Sequence, residues 1–166
     1  MRATVIGAGG TIGKALCKAL AAAGHEVIAV TRNELDLLNL PEWCPPPLQG
    51  EVAYLCAAKT RFIDCEADSD AYRVNVDAPA HIGKWFPKTI YLSSEAVERA
   101  LHTNYGMHKA LAEISLRAVC DPVIVRLAKV DAWSMHDACA FLIGLAKSRP
   151  GVYRWRAPAE RLQAVA

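Results

Sequence analysis

The sequence predicts an α/β protein: one doubly wound parallel sheet with helices on both faces. Three observations carry this expectation. Short β-prone runs alternate along the chain with stretches of helical periodicity, and strands joined by crossover helices lie parallel and are covered on both sides. A glycine cluster joins the first β-prone run to the first helical stretch. With 166 residues and 53% hydrophobic content, the chain suits one domain with a sizeable core.

Taken in order, RATVI at 2–6 is the first strand. At 11–23, Ile12, Ala15, Leu16, Ala19, Leu20 and Ala23 recur at helical spacing, and Gly24 suits the C-cap. HEVIAV (25–30), EVAYLCAA (51–58), TIYLS (89–93) and PVIVRL (122–127) read as four further strands. Between the third and fourth lies DSDAYRVNVDAPAHIGKW, a helix with an irregularity at Pro79. Between the fourth and fifth lies the helix that opens NYGMHK at Asn104. PEWCPPPL (41–48) holds four prolines in eight residues. The helix due between a short strand near Leu35-Asp36 and the 51–58 strand is therefore expected to be stunted or replaced by an extended loop. Beyond Asp131, MHDACAFLIGLAKSRPG gives one amphipathic helix and VYRW a brief strand.

Composition narrows the function. A net charge of +2 with 22% charged residues gives no electrostatic footprint for DNA or RNA. The six cysteines show no C-x-x-C and no metal-like pairing with the five histidines, so they read as buried or free thiols in a reducing cytoplasm, without a metal. MRATVIGAGG enters a strand at once, with no charged region followed by a long apolar one, so neither secretion nor membrane spanning is expected.

The first strand runs into Gly7-Ala8-Gly9-Gly10-Thr11-Ile12-Gly13. Glycines here let the backbone turn sharply and approach a pyrophosphate. The helix N-terminus at Thr11, Ile12 and Gly13 offers free N–H groups and a positive dipole. The usual G-x-G-x-x-G spacing fails because Ile12 stands three after Gly9; Gly7-x-x-Gly10-x-x-Gly13 is satisfied. Between a strand and a helix, such a cluster points to a dinucleotide site in a Rossmann-type fold. The expected organisation is a Rossmann domain over 1–130 and a short helical extension, 131–166, packed on it. At the end of the second strand, NAD-selective sites place an acid for the ribose 2′-hydroxyl, whereas this chain reads Val30-Thr31-Arg32-Asn33. Arg32 either pairs with a 2′-phosphate or is an exposed strand-end arginine; with the acid missing, NADP(H) is favoured over NAD(H).

Tyr105 and Lys109 are four apart on the NYGMHK helix, where such positions share a face. A cation beside a phenol lowers its pKa and makes it a usable acid or base; the alternative is an ordinary helix surface. With the glycine frame upstream, this pair makes the sequence resemble the short-chain dehydrogenase/reductase superfamily. Cys56-Ala57-Ala58-Lys59-Thr60, Cys65-Glu66 and Val74-Asn75-Val76-Asp77-Ala78-Pro79 resemble its extended branch, in which an N-A-A-type strand end precedes a helix containing v-N-v-x-a-p. Leu35-Asp36-Leu37 resembles the segment that contacts adenine there, and Tyr91-Leu92-Ser93-Ser94-Glu95-Ala96-Val97 its S-[ST]-D-x-V segment. Within that branch the similarity, over about residues 1–130, is to sugar-nucleotide epimerases, dehydratases and dTDP-4-dehydrorhamnose reductases.

The resemblance implies an NADP(H)-dependent oxidoreductase acting on a carbonyl/hydroxyl pair, of a nucleotide sugar or another small molecule. It implies Tyr105 as acid/base, Lys109 lowering its pKa and binding the nicotinamide ribose, and Ser94 bonding the substrate oxygen. Gly7, Gly10, Thr11, Ile12, Gly13, Arg32, Asp36, Leu37, Ala57 and Ala58, with Tyr105 and Lys109, would bind the cofactor. Of the two serines, one holds the strand end; alignment with the motif assigns Ser94 to the chemistry. A homodimer through the helices near 69–85 and 103–118, with Trp85 and Ile114 on the joined faces, is also implied. Two departures keep other readings open. Only ten residues separate Ser94 from Tyr105, and the family's long C-terminal substrate region is expected to be nearly absent after Arg126, which resembles the arginine ending its sixth strand. A non-catalytic NADP(H) sensor or subunit and an epimerase or isomerase are the alternatives. Glu95, His102 and His108 read as surface groups, Met107 as core, and Trp43, Trp85, Trp133 and Trp155 as packing residues.

Overall fold

The computed structural model describes residues 1–157; the end of the expected extension, Pro158 to Ala166, lies outside them. Six strands form one sheet: β1 (Arg2–Ile6), β2 (Glu26–Val30), β3 (Val52–Leu55), β4 (Thr89–Ser94), β5 (Val123–Leu127) and β6 (Gly151–Trp155). Their order is β2-β1-β3-β4-β5-β6 and every neighbouring pair is parallel. The helices are α1 (Thr11–Ala22), α2 (Phe62–Ala67), α3 (Ser69–Tyr72), α4 (Ala78–Gly83), α5 (Ala96–Arg99), α6 (Asn104–Arg117) and α7 (Met135–Gly144). This is the doubly wound Rossmann sheet that the alternating pattern predicts.

A parallel sheet is apolar on both faces, and β3 is buried at all four positions. One layer of core joins Val5, Tyr54 and Leu92 to Leu16 and Leu20 of α1 and Leu142 of α7. The other joins Ile6, Tyr91 and Ile124 to Ile82 of α4 and Leu116 of α6. The chain leaves β1 toward β2 and returns across it to β3, so a crevice opens outside the carboxyl end of β1, where ligands bind in such sheets.

The structure departs from the sequence reading at several places. No strand forms at Leu35-Asp36. The Glu34 carboxylate accepts hydrogen bonds from the Thr31 N–H (2.8 Å) and hydroxyl (2.6 Å), and Asp36 accepts from the Leu38 N–H (3.0 Å), which fixes turns in place of extended chain. The proline-rich stretch makes a single 3₁₀ turn, Pro46–Leu48. β3 stops at Leu55 because Gly7 backs directly onto Ala57: a Cβ on Gly7 would stand 2.5 Å from the Ala57 nitrogen. The expected 69–85 helix is α3, a π-helical segment at Arg73–Asp77, and α4. Pro79 has no N–H to return to the carbonyl four residues earlier and its ring crowds that carbonyl; the wider turn just before it relieves both. Within residues 131–157, α7 packs beside α1 and β6 pairs with β5. Met107 is 46% exposed, and Trp43 and Trp133 are also exposed, whereas Trp155 is buried.

Candidate active site

The turn after β1 shows why the glycines are spaced as they are. Gly7 sits at φ 92°, in the left-handed region, and a Cβ on Gly13 would lie 2.2 Å from the Gly7 carbonyl oxygen. Those two glycines are required by close backbone approach. A Cβ on Gly9 would make only ordinary contact with the Thr31 side chain, at 3.8 Å, and Gly10 has only a 3.4 Å neighbour. The loop therefore follows the Gly7–Gly10–Gly13 frame because helix α1 is pressed against its own approach turn. No side chain caps α1 and no acid stands in its first turn. The first-turn N–H groups of Thr11, Ile12 and Gly13 are thus left for an anion.

Beside this turn lies a groove of about 410 Å³. Of the residues expected to bind a cofactor, Gly7, Gly10, Arg32, Asp36, Leu37, Ala57 and Ala58 line it. Thr11, Ile12 and Gly13 stand at the head of α1, and Tyr105 and Lys109 on α6, off its wall. Arg32 is exposed at the groove's edge. The nearest acid in sequence, Glu34, is folded back on Thr31. Asp36 is held below its ordinary pKa chiefly by the Leu38 N–H, with Asn39, Arg32 and Arg73 adding to it. Sequence reasoning missed Gly9, Thr31, Lys59, Asp70 and Val74 as groove residues. Lys59 was within reach, since it directly follows Ala57-Ala58. Its backbone is clamped by Asn75, whose Oδ1 accepts from the Lys59 N–H at 2.8 Å while its Nδ2 donates to the Lys59 carbonyl at 2.9 Å. The buried asparagine of the v-N-v pattern thus fixes the segment after β3.

Ser94 ends β4, and Tyr105 opens α6, which Thr103 caps by accepting from the Gly106 N–H at 3.1 Å. The ten-residue gap between them is closed by α5 packed on α6. A Cβ on Gly106 would stand 2.1 Å from the Ala100 carbonyl oxygen, so only glycine admits this approach. Burial pushes the Tyr105 phenol above its ordinary pKa, and the nearby Ser94 hydroxyl pulls in the opposite direction. The Ser94 oxygen also accepts from the Ala96 N–H at 3.2 Å. Ser93 is engaged elsewhere: its hydroxyl donates to Glu113 at 2.6 Å.

Lys109 is 3% exposed and donates to the Leu92 carbonyl at 2.8 Å, its amine 4.7 Å from the centre of the Tyr91 ring. Burial lowers its pKa to about 8, with Cys56, Glu113 and Cys65 opposing. The phenol's neighbours in this geometry are Ser94 and Cys65, and its pKa is raised. Lys109 nevertheless reaches the groove electrostatically, because Cys56 of the groove wall lies close enough for the amine to act on its thiol.

His108, expected at the surface, is 7% exposed. Its ring meets Tyr72 edge-on at 5.5 Å, and Nδ1 is without a hydrogen-bond partner among the described residues. His102 is exposed. Glu95 pairs with Arg99 and Arg156.

A phenol and a hydroxyl at a strand end, beside a glycine turn that leaves helix N–H groups open, make an arrangement suited to moving a proton at an oxygen next to a bound dinucleotide. The model of one protein family, the RmlD substrate binding domain, matches residues 1–154. The chain belongs to this family. That membership agrees with the resemblance its motifs carry. A dTDP-4-dehydrorhamnose reductase of Mycolicibacterium smegmatis is 32% identical over 84 residues, a stretch covering 50% of this chain and 26% of that protein. Against this curated relative the RmlD-family chain therefore spans about a quarter of the length. Solved structures share its fold. The dTDP-4-dehydrorhamnose reductase of Bacillus anthracis in complex with NADP superposes with TM-score 0.76 at 16% identity, over 93% of this chain and 74% of that one. MoeE5 in complex with UDP-glucose and NAD gives 0.75 at 18%, over 93% and 76%. Among the described residues no helix is long and apolar enough to cross a membrane.

Proposed function

We propose that this RmlD-family protein is an NADP(H)-dependent oxidoreductase acting on a carbonyl/hydroxyl pair, with a nucleotide sugar as the substrate class. The observation that carries the reading is the meeting of Ser94 and Tyr105 at the carboxyl end of β4, with Lys109 buried on the same helix as Tyr105 and bonded to the Leu92 carbonyl. The residues present fit a dinucleotide: the uncapped α1 start and Gly10 suit a pyrophosphate, and the groove over β2 and β3 suits an adenosine. When bound, NADPH supplies a hydride. The chain's own groups manage the oxygen. The Tyr105 phenol, whose raised pKa keeps it protonated at neutral pH, holds the proton that a developing alkoxide needs. The Ser94 hydroxyl gives that oxygen a second donor. Lys109 supports the end of β4 through the Leu92 carbonyl. Arg32 at the groove edge and the commitment of Glu34 to Thr31 favour a 2′-phosphate over a free 2′-hydroxyl. The substrate class follows the relatives, whose names specify dTDP-4-dehydrorhamnose and UDP-glucose.

The same reading includes a homodimer in the cytoplasm. Met107 and Ile114, seven apart on α6, are 46% and 64% exposed, and Ile63 of α2 and Tyr72 of α3 are exposed as well. Six free thiols suit a reducing compartment.

The deciding experiment is NADPH consumption against a panel of nucleotide-sugar ketones, repeated with Tyr105→Phe. Phenylalanine keeps the packing and removes the proton, so turnover should drop about 100-fold or more with cofactor affinity unchanged. Equal turnover in the variant removes Tyr105 from the chemistry, and a chain that binds NADPH but consumes none with any ketone is a sensor.

A further inference from the structure

We propose that Glu113, through Ser93 and Arg126, is a positioning residue that sets where the end of β4 presents Ser94 to Tyr105. This rests on the functional reading above.

The observation is a hydrogen-bonded charge network directly behind the site. Glu113 lies two helical turns after Tyr105 on α6, and its side chain is 4% exposed. Its Oε1 accepts from the Ser93 hydroxyl at 2.6 Å and from Arg126 Nε at 3.0 Å, and its Oε2 accepts from Arg126 Nη2 at 2.7 Å. Arg126 continues to Glu98 of α5 at 2.6 Å, and Glu98 is also bonded by Arg154 of β6. Ser93, Arg126 and Arg154 form one row across β4, β5 and β6. A single buried carboxylate thus ties the helix that carries Tyr105 to the strand that carries Ser94.

A buried carboxylate needs such partners to be tolerated, but fold stability alone does not explain where these bonds fall. Lys109 bonds Leu92 and Glu113 bonds Ser93, so α6 is pinned to two consecutive residues of β4 immediately before Ser94. The helix cannot rotate or slide along the strand without breaking both. Glu98 adds the α5 segment between Ser94 and Tyr105 to the same frame. Proton transfer depends on sub-ångström placement of donor and acceptor, and small displacements cost much rate. The network sits where it controls that placement while leaving the cofactor groove untouched.

The test uses the full chain labelled with ¹³Cζ tyrosine, the Tyr105 resonance being assigned by its loss in Tyr105→Phe. Ser94→Ala should move this resonance, since the phenol loses its neighbouring hydroxyl. Glu113→Gln, which turns an amide donor toward Arg126, and Ser93→Ala, which deletes one bond and keeps the ion pair, should move it in the same sense. With a ketone that the wild type turns over, both variants should lose about 10- to 100-fold in kcat while the NADPH dissociation constant stays within about twofold. Should Glu113→Gln not fold, Ser93→Ala carries both readouts. The inference is overturned if the Tyr105 resonance stays at its wild-type position in Ser93→Ala and Glu113→Gln, if Ser94→Ala fails to move it, or if kcat is unchanged in both variants. A wild type that consumes no NADPH defeats the functional reading, and the resonance then decides the positioning role by itself.

Discussion

Replacing Lys109 by methionine should leave a pH-dependent mark on stability that the geometry fixes in sign and size. The amine is 3% exposed, has the Leu92 carbonyl and the Tyr91 ring for company, and faces no carboxylate at ion-pair distance among the described residues. Burial therefore brings its pKa from the ordinary 10.5 down to about 8. The unfolded chain holds that proton more tightly than the folded one. The penalty of burying the charge is thus fully present below pH 8 and is relieved as pH rises from about 8 to 10.5. At 1.36 kcal/mol per pH unit the relief amounts to roughly 3 kcal/mol. Methionine fills a similar volume and carries no charge, but it gives up the bond to Leu92, an effect of about 1 kcal/mol or more. Near pH 7 the two effects oppose, and the variant should lie close to the wild type or above it. Near pH 10.5 the wild type should have gained roughly 3 kcal/mol on the variant.

The difference between the two proteins is the quantity to measure, because other groups titrate in the same window with the opposite sign. Burial raises the thiols of all six cysteines. Their contribution is present below the unfolded thiol value and lost as pH rises. Urea unfolding of both proteins at several pH values from 7 to 10.5, under reducing conditions, cancels the contributions of the thiols that Lys109 does not act on, which are all but Cys56 and Cys65. If the wild-type-minus-variant stability stays flat within ~0.5 kcal/mol across that range, Lys109 is not desolvated in solution as it is here.

Three further outcomes are expected. Arg32→Asp should weaken NADP(H) binding by about 10- to 100-fold and spare NAD(H), a charge-assisted phosphate contact having become a repulsion; equal wild-type affinities for the two cofactors in a titration would remove Arg32 from the selectivity. Gly13→Ala should cost about 1–3 kcal/mol or more in a denaturation curve, since its Cβ would meet the Gly7 oxygen at 2.2 Å, while Gly9→Ala, whose Cβ would only touch the Thr31 side chain at 3.8 Å, should be within ~0.5 kcal/mol of wild type. Light scattering at micromolar concentration should give a dimer, and Ile114→Lys, placed on the exposed α6 face, should return it to monomer; a wild-type monomer would count against the assembly.

What the sequence made legible follows from where one residue type admits one physical explanation. Gly7 and Gly13 could be read because only glycine tolerates a 2.2 Å approach or a φ of 92°. The parallel strands could be read because residues buried on both faces leave unbroken apolar runs such as VAYL. His108 and Met107 were assigned to the wrong sides because α6 is only weakly amphipathic: its buried set includes His108, Lys109 and Glu113. Periodicity sorts residues by polarity, and these polar side chains turn inward. The strand expected at Leu35-Asp36 failed because Glu34 and Asp36 bond their own backbone, a local competition that an apolar pattern does not register. Lys59 and Asp70 reach the groove only through the packing of α3 and the Asn75 clamp, which joins residues sixteen apart.

Polar residues on the inward side of α6 are the ones that tie it to the sheet. Tyr105, Lys109 and Glu113 recur every four residues, so they lie along one stripe of the helix. The stripe faces the three residues that end β4: Tyr105 meets Ser94, Lys109 meets Leu92 and Glu113 meets Ser93. An apolar stripe there would pack the helix equally well, and for less desolvation. It would also allow the helix to settle in more than one register, since apolar contacts are non-directional. Hydrogen bonds from buried polar groups do not share that tolerance: a helix displaced by a fraction of a turn leaves Lys109 and Glu113 unpaired in the core. The polar stripe therefore fixes one register of α6 against β4, and Tyr105 is the residue that this register brings to Ser94.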